Sequence, residues 1–292
     1  MRNMHKYEEL TPFEFNQEKE RASIIYVSAG PMEYHEECNV LGIDPLKGYQ
    51  WCLEAAEITG GIVFPMLPVA PDGYWPLDSW GKIKGDWGKI KFGEYSREPM
   101  LYPSMMFSRE VCKVLYREML ETFATLHKFK LCVFIGSHGP AGQLVKSIVA
   151  EENGIDDWDP ESYEKVCGRF HGMEVMAVGS LDYSKDLIEK YYKERQISRI
   201  NHGGLWETAM NYAVNPDYFH PEYLDDKKYP QHYGSLKEEH VDDCVRPVRS
   251  EYRKFTPEFA EELHRTTVQR MAENIKMSYN EILKKTGKEV IR

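Results

Sequence analysis

Short apolar runs alternate with segments of helical period along most of this chain, and that alternation limits the fold more than any other feature. Ala22 to Ala29 (Ala-Ser-Ile-Ile-Tyr-Val-Ser-Ala) reads as a buried strand that stops at Gly30-Pro31. Asp44-Pro45 then reads as a helix start, with Asp as N-cap and Pro at the first helical position. Gly60-Gly61 is a natural stop for that helix, and Ile62 to Leu67 is a second apolar run. A helix from about Ser108 to Lys128 leads into Leu131-Cys132-Val133-Phe134-Ile135, the most strand-like run in the sequence. A helix over about 141–152, a strand over about 173–179 and a helix over about 184–195 follow. Strands alternating with helices predict an α/β fold whose mostly parallel sheet is covered on both faces. In such sheets ligands bind beyond the carboxyl ends of the strands.

Two stretches break the alternation. Residues 71–103 are rich in Gly, Pro and Trp and contain a near-duplicate, Trp80-Gly81-Lys82-Ile83-Lys84 followed by Trp87-Gly88-Lys89-Ile90-Lys91. An inserted arm over about 74–100 is expected there, either a twisted hairpin packed on the domain or a lid or subunit-contact element. Residues 215–256, with Pro216, Pro221, Pro230 and Pro247, read as an irregular surface excursion. Thr256-Pro257-Glu258 starts a long terminal helix, about 257–285, with Phe259, Leu263, Met271, Ile275 and Ile282 expected to be buried. No linker composition interrupts the chain, so residues 1–292 read as one domain.

Composition excludes several function classes. With 37 Lys+Arg against 47 Asp+Glu, the net charge of -10 is unsuited to broad contact with a phosphate backbone, and no nucleic-acid partner is expected. No apolar stretch approaches the roughly 20 residues that span a bilayer, and the charged start lacks the apolar core of a secretory leader, so no membrane partner is expected. The six cysteines form no Cys-x-x-Cys pair and suit reduced thiols, which makes the cytoplasm the expected location. No Gly-x-Gly-x-x-Gly follows the first strand, which argues against a dinucleotide-binding protein.

Three clusters carry chemistry. In Gly30-Pro31-Met32-Glu33-Tyr34-His35 the two outer groups, at i and i+2 of an extended segment, face the same side and can converge on one point. Carboxylate and imidazole are ligands for zinc or manganese, and Asp44 could bridge two such ions. The structural alternative is that Asp44 caps its helix and Glu33 and His35 are surface groups. The second cluster, Gly136-Ser137-His138-Gly139-Pro140, sets a histidine among small residues at a strand's carboxyl end, where a tight turn with a solvated histidine is the alternative. The third, Asn201-His202-Gly203-Gly204-Leu205-Trp206-Glu207-Thr208, pairs a histidine in a glycine turn with a carboxylate at a helix start. His202 as proton shuttle and Glu207 as ligand is one reading, and a favourable acidic first turn is the other for Glu207.

Together and in order, the clusters resemble the creatininase family. Its members carry Glu-x-His after the first strand, an Asp eleven residues past that Glu, a small-residue His-Gly loop after a later strand and a His-Gly loop leading to Glu-Thr. Glu33-Tyr34-His35, Asp44, His138-Gly139 and His202-Gly203 with Glu207-Thr208 supply all four, over about residues 20–215.

The resemblance implies a single-domain three-layer α/β sandwich with a mostly parallel central sheet, assembled as a homo-oligomer, often a hexamer. It implies two divalent metal ions, zinc or manganese. Glu33, Asp44 and His138 would bind one ion. His35, bridging Asp44 and Glu207 would bind the other, Glu207 replacing a glutamate whose place is taken by Pro140. A metal-activated water would attack the carbonyl of a small cyclic substrate, and His202 would deliver a proton to the leaving group. Asn201 in place of an acidic residue, and Gly136-Ser137-His138 in place of Asn-Gly-His, put creatinine itself in doubt. An amidohydrolase is the first expectation. A ring-opening carbon–carbon hydrolase of a cyclic diketone derived from inositol is the second, and a non-catalytic metal- or ligand-binding member of the fold is the third.

Overall fold

Five strands form one sheet: β1 (Ile24–Ala29), β2 (Ile62–Val63), β3 (Leu131–Gly136), β4 (Cys167–Phe170) and β5 (Met173–Gly179), in the order β2-β1-β3-β5-β4. The computed structural model describes residues 3–71, 104–155, 167–198, 200–225, 227–229, 248–285 and 287. β1 runs parallel to β2 and β3, and β3 parallel to β5, while the edge strand β4 is antiparallel to β5.

The sheet is covered on both faces, as its side-chain alternation requires. Along β1, Ile24 and Tyr26 enter one core while Ile25, Val27 and Ala29 enter the other. β3 splits the same way, Leu131, Val133 and Ile135 against Cys132 and Phe134. On the first face lie α2 (Ile43–Thr59), α5 (Lys185–Arg195), α6 (Leu205–Val214) and α7 (Pro257–Lys285), whose apolar residues join that core. On the second lie α3 (Arg109–Glu121) and α4 (Gly139–Glu152). The expected α/β sandwich with a mostly parallel sheet is therefore what the chain forms.

The expected C-terminal helix matches α7, with Phe259, Leu263, Met271 and Ile275 buried. Ile282 is only partly buried, and Leu283 takes the core position beside it. The helix expected over 108–128 is α3, capped by the Ser108 side chain, which accepts from the Val111 N–H, followed by a wider-wound turn over Thr122–Leu126. α1 (Pro12–Arg21) and β4 have no counterpart in the sequence reading. Between 215 and 256 the described residues form short 3-10 turns, Pro216–Tyr218, Pro221–Leu224 and Arg249–Lys254. The arm expected over about 74–100 lies outside the described residues.

One expectation about α2 is corrected. Asp44 does not cap this helix: the helix begins at Ile43 after Gly42, and no side chain caps it. Asp44 sits inside the first turn instead, and its carboxylate points away from the helix N–H groups toward charged neighbours described below.

Candidate metal centre

The sheet's order reverses between β1 and β3, because β1 connects through α2 to β2 on one side and its other neighbour is β3. A crevice opens at the carboxyl ends of two such strands, and every residue of the candidate site arrives there. Glu33 and His35 follow β1, Asp44 and Lys47 come from the first turns of α2, His138 directly precedes α4, and Glu207 lies in the first turn of α6. A glycine makes one of these approaches feasible, since a Cβ at Gly30 would stand 2.6 Å from the Asp44 Cβ.

Glu33, His35 and Asp44 are each 1% exposed, Glu207 5% and His138 8%, so the group is shielded from bulk water. His138 Nδ1 stands 3.0 Å from Glu33 Oε2 and 3.5 Å from Asp44 Oδ2. His35 Nε2 stands 3.8 Å from Asp44 Oδ2 and 3.6 Å from Glu207 Oε1. Asp44 thus lies between two histidines, and the five side chains expected from the sequence converge on one place. The surface-loop alternative for Glu33 and His35 is set aside by their burial.

Each of these two imidazoles is held from behind by a backbone carbonyl. His138 Nε2 donates to the Pro71 carbonyl at 2.9 Å, and His35 Nδ1 donates to the Glu33 carbonyl at 3.1 Å. In the neutral ring the remaining nitrogen then carries a lone pair aimed at the carboxylates. This is the outer hydrogen bonding that orients metal-ligating histidines. Two lone pairs facing three carboxylates repel unless a cation stands between them.

The carboxylate oxygens carry the same message. Among the described residues, Glu33 Oε1, Glu33 Oε2 and Asp44 Oδ2 are buried without a hydrogen-bond partner. Leaving a buried charge unpaired is costly, and oxygens of this kind are suited to a divalent ion. Two groups of three share Asp44: Glu33, Asp44 and His138, and His35, Asp44 and Glu207, in each of which the ligand atoms lie within 4.8 Å of one another. Without a metal, protons take the cation's place. Burial lowers the His138 pKa, but Glu33 and Asp44 outweigh it and push it up to about 10. Burial acts the same way on His35, and Glu207 and Asp44 raise it to about 9. Burial opposes ionisation of Asp44, yet Lys47 and His35 hold its carboxyl well below the usual range.

His202 joins the group from the outer side. Its side chain is 20% exposed, its Nε2 lies 3.7 Å from Glu33 Oε1, and its ring stacks on His35 with centroids 4.2 Å apart. Nε2 donates to the Tyr34 carbonyl at 2.8 Å. The loop is fixed by Tyr252, whose hydroxyl donates to the Gly203 carbonyl, and by the Gly203 N–H, which donates to Glu207 Oε2 at 2.6 Å.

Lys47 is the residue that sequence reasoning missed. It is fully buried, with Nζ 2.7 Å from Asp44 Oδ1 and 3.2 Å from Glu207 Oε1. Asp44 and Lys47 at i and i+3 of one helix was the available signal, since such pairs are neighbours on a helix surface. Of the small residues around His138, Gly136 serves packing: a Cβ there would stand 2.3 Å from the Gly142 Cα, so it lets α4 pack on β3.

Comparisons agree with this geometry at the level of the fold. No protein-family model matches the chain, and no curated protein sequence matches it. Solved structures do. A creatinine amidohydrolase (creatininase) superposes with a TM-score of 0.64 at 17% identity, over 94% of this chain and 98% of that one. A zinc–zinc form of a creatininase variant gives 0.64 at 15% identity, over 96% and 99%. A creatininase with manganese gives 0.62 at 16% identity, over 94% and 98%. The likeness, at these identities, establishes the creatininase fold over nearly the full chain.

Proposed function

We propose that this creatininase-fold chain is a metal-dependent hydrolase, acting as an amidohydrolase on the carbonyl of a small cyclic substrate. The observation that carries the proposal is the set of buried carboxylate oxygens on Glu33 and Asp44 that accept no hydrogen bond among the described residues and face the oriented lone pair of His138. Zinc or manganese suits this mixture of oxygen and nitrogen donors. Glu33, Asp44 and His138 would hold such an ion, and His35 and Glu207 complete the charged wall around Asp44. When bound, a divalent ion here supplies a water acidified to near neutral pH and polarisation of the substrate carbonyl.

The chain's own residues do the rest. The carbonyls of Glu33 and Pro71 fix the two histidine rings, so the donor set is organised before substrate arrives. Burial of Glu33, Asp44 and Glu207 keeps bulk water from the ligand oxygens. His202, at the exposed edge of the site, gives a proton to the leaving nitrogen.

The test is turnover of a panel of cyclic amides by protein loaded with zinc or manganese and by the same protein after chelation. Amine-bearing, ring-opened product that vanishes on chelation and returns with metal supports the proposal. Ring-opened product from cyclic diketones with no amide cleavage would replace it with the carbon–carbon hydrolase, and no turnover of either class would leave a binding protein.

A further inference from the structure

The two ligand groups that share Asp44 are not equivalent, and the difference lies in Lys47. In the first group, Glu33 Oε1, Glu33 Oε2 and Asp44 Oδ2 accept no hydrogen bond among the described residues. In the second, the oxygens are taken. Asp44 Oδ1 and Glu207 Oε1 both accept from Lys47 Nζ, at 2.7 Å and 3.2 Å, and Glu207 Oε2 accepts from the Gly203 N–H at 2.6 Å. The ammonium cannot be displaced into water by a simple rotation, because the Lys47 side chain is fully buried and Nζ lies 5.5 Å above the Trp206 ring.

Charge decides between one ion and two. The site holds three buried carboxylates, Glu33, Asp44 and Glu207, against one buried ammonium. One divalent ion then balances these charges, with His138 as its neutral ligand. A second ion would leave a buried excess of positive charge, and it would bind Glu207 Oε1 at about 2.0–2.2 Å while the ammonium stands beside the same oxygen. Removing the ammonium halves that excess and frees Asp44 Oδ1 and Glu207 Oε1 for a second ion.

We propose that the site takes a single divalent ion, at Glu33, Asp44 and His138, and that the Lys47 ammonium stands in for the second ion beside His35, Asp44 and Glu207. Lys47 is thereby a positioning residue: it fixes Oδ1 of Asp44, leaving Oδ2 for the ion. This inference rests on the metal-dependent reading above and refines its stoichiometry, in place of the two ions that the resemblance implies.

The experiment is zinc titration of the full-length chelated protein by calorimetry, with metal content measured after desalting, for wild type, Lys47→Met and Lys47→Gln. Wild type is expected to retain a single zinc ion per chain, and the variants to take up a second. Two ions of comparable affinity in the wild type would overturn the inference while leaving the hydrolase proposal standing. Uptake of no zinc and no manganese by wild type would overturn both. Folded variants that still bind only one ion would show that Lys47 does not exclude the second and would also overturn it. Should neither variant fold, wild-type stoichiometry decides alone.

Discussion

Lys47 Nζ lies 2.7 Å from Asp44 Oδ1, one turn along α2, and neither side chain is more than 2% exposed. A buried pair of this kind adds little net stability when complete, because desolvation offsets the attraction, but breaking it strands a charge. Asp44→Ala leaves the ammonium with Glu207 alone. The expected cost is about 3–5 kcal/mol, read by urea denaturation of the metal-free protein. A loss below about 1 kcal/mol would mean that water reaches Lys47.

Removal of Glu33 acts on the other side of Asp44. Its Oε2 stands 3.0 Å from His138 Nδ1, and in the metal-free protein that ring, its pKa raised to about 10, is the carboxylate's counter-charge. Glu33→Gln is expected to melt below wild type in chelator at pH 6, and further below it in saturating zinc, where the ion also loses a ligand. A variant that matches wild type in saturating zinc would show that Glu33 does not hold the ion.

The stability of the metal-free protein and the increment that zinc adds should respond to pH in opposite directions. His35 and His138 have pKa values raised to about 9 and about 10. A raised pKa gives stabilisation that is complete below the unfolded value of about 6.5 and is lost as pH rises through the folded value. Asp44, held low, contributes above about pH 4 and loses its contribution as pH falls through its folded value. Metal-free protein is therefore expected to melt lower at pH 8.5 than at pH 6. Zinc must displace the proton on its ligand His138, so its stabilising increment grows over the same interval. Melting curves with chelator and with zinc at the two pH values check both signs. A zinc increment independent of pH would rule out histidine ligation.

His202→Gln separates proton transfer from ligation. With Nε2 already donating to Tyr34, the ring is assigned to proton transfer, and loss of a general acid lowers kcat by about 10²–10⁴-fold. Metal content is expected to stay at the wild-type level. Loss of metal in this variant would instead make His202 a ligand with Glu33 and His35, with which it also forms a compact group.

Gly30→Ala tests the packing that brings Asp44 to β1. The added Cβ would meet the Asp44 Cβ at 2.6 Å and the Pro45 nitrogen at 3.0 Å, and α2 must shift to admit it. Overpacking of this type costs about 1–3 kcal/mol, and zinc affinity is expected to fall with it. Unchanged affinity would show that Asp44 tolerates displacement.

Local signals made most of this legible in the sequence. β1, β3 and β5 are apolar runs bounded by glycine or polar turns, and Glu33, His35 and His138 follow two of those strands directly. Glu207 could be placed because a glycine turn opens its helix. α1 was equally available: Thr11 accepts from the Glu14 N–H while the Glu14 carboxylate accepts from the Thr11 N–H, a capping box written as Thr-Pro-Phe-Glu. β4 was not, being a four-residue edge strand whose place depends on β5. Lys47 was hidden for a different reason. Its burial is created by Glu207 and Trp206, residues about 160 positions away that only the packing of α6 against α2 brings near. Asp44 was misread as a cap because Asp-Pro is a strong local start signal, and that signal says nothing of the two histidines that the fold brings to its carboxylate.

The most direct test of the central claim is zinc bound per chain by wild type and Glu33→Gln, each chelated, reloaded and desalted, with far-ultraviolet circular dichroism confirming that both are folded. The account predicts retained zinc in wild type and little or none in Glu33→Gln, because the variant loses the carboxylate that faces His138 at 3.0 Å without altering the Lys47 pairing. Equal zinc in both proteins, or none in either, would contradict it.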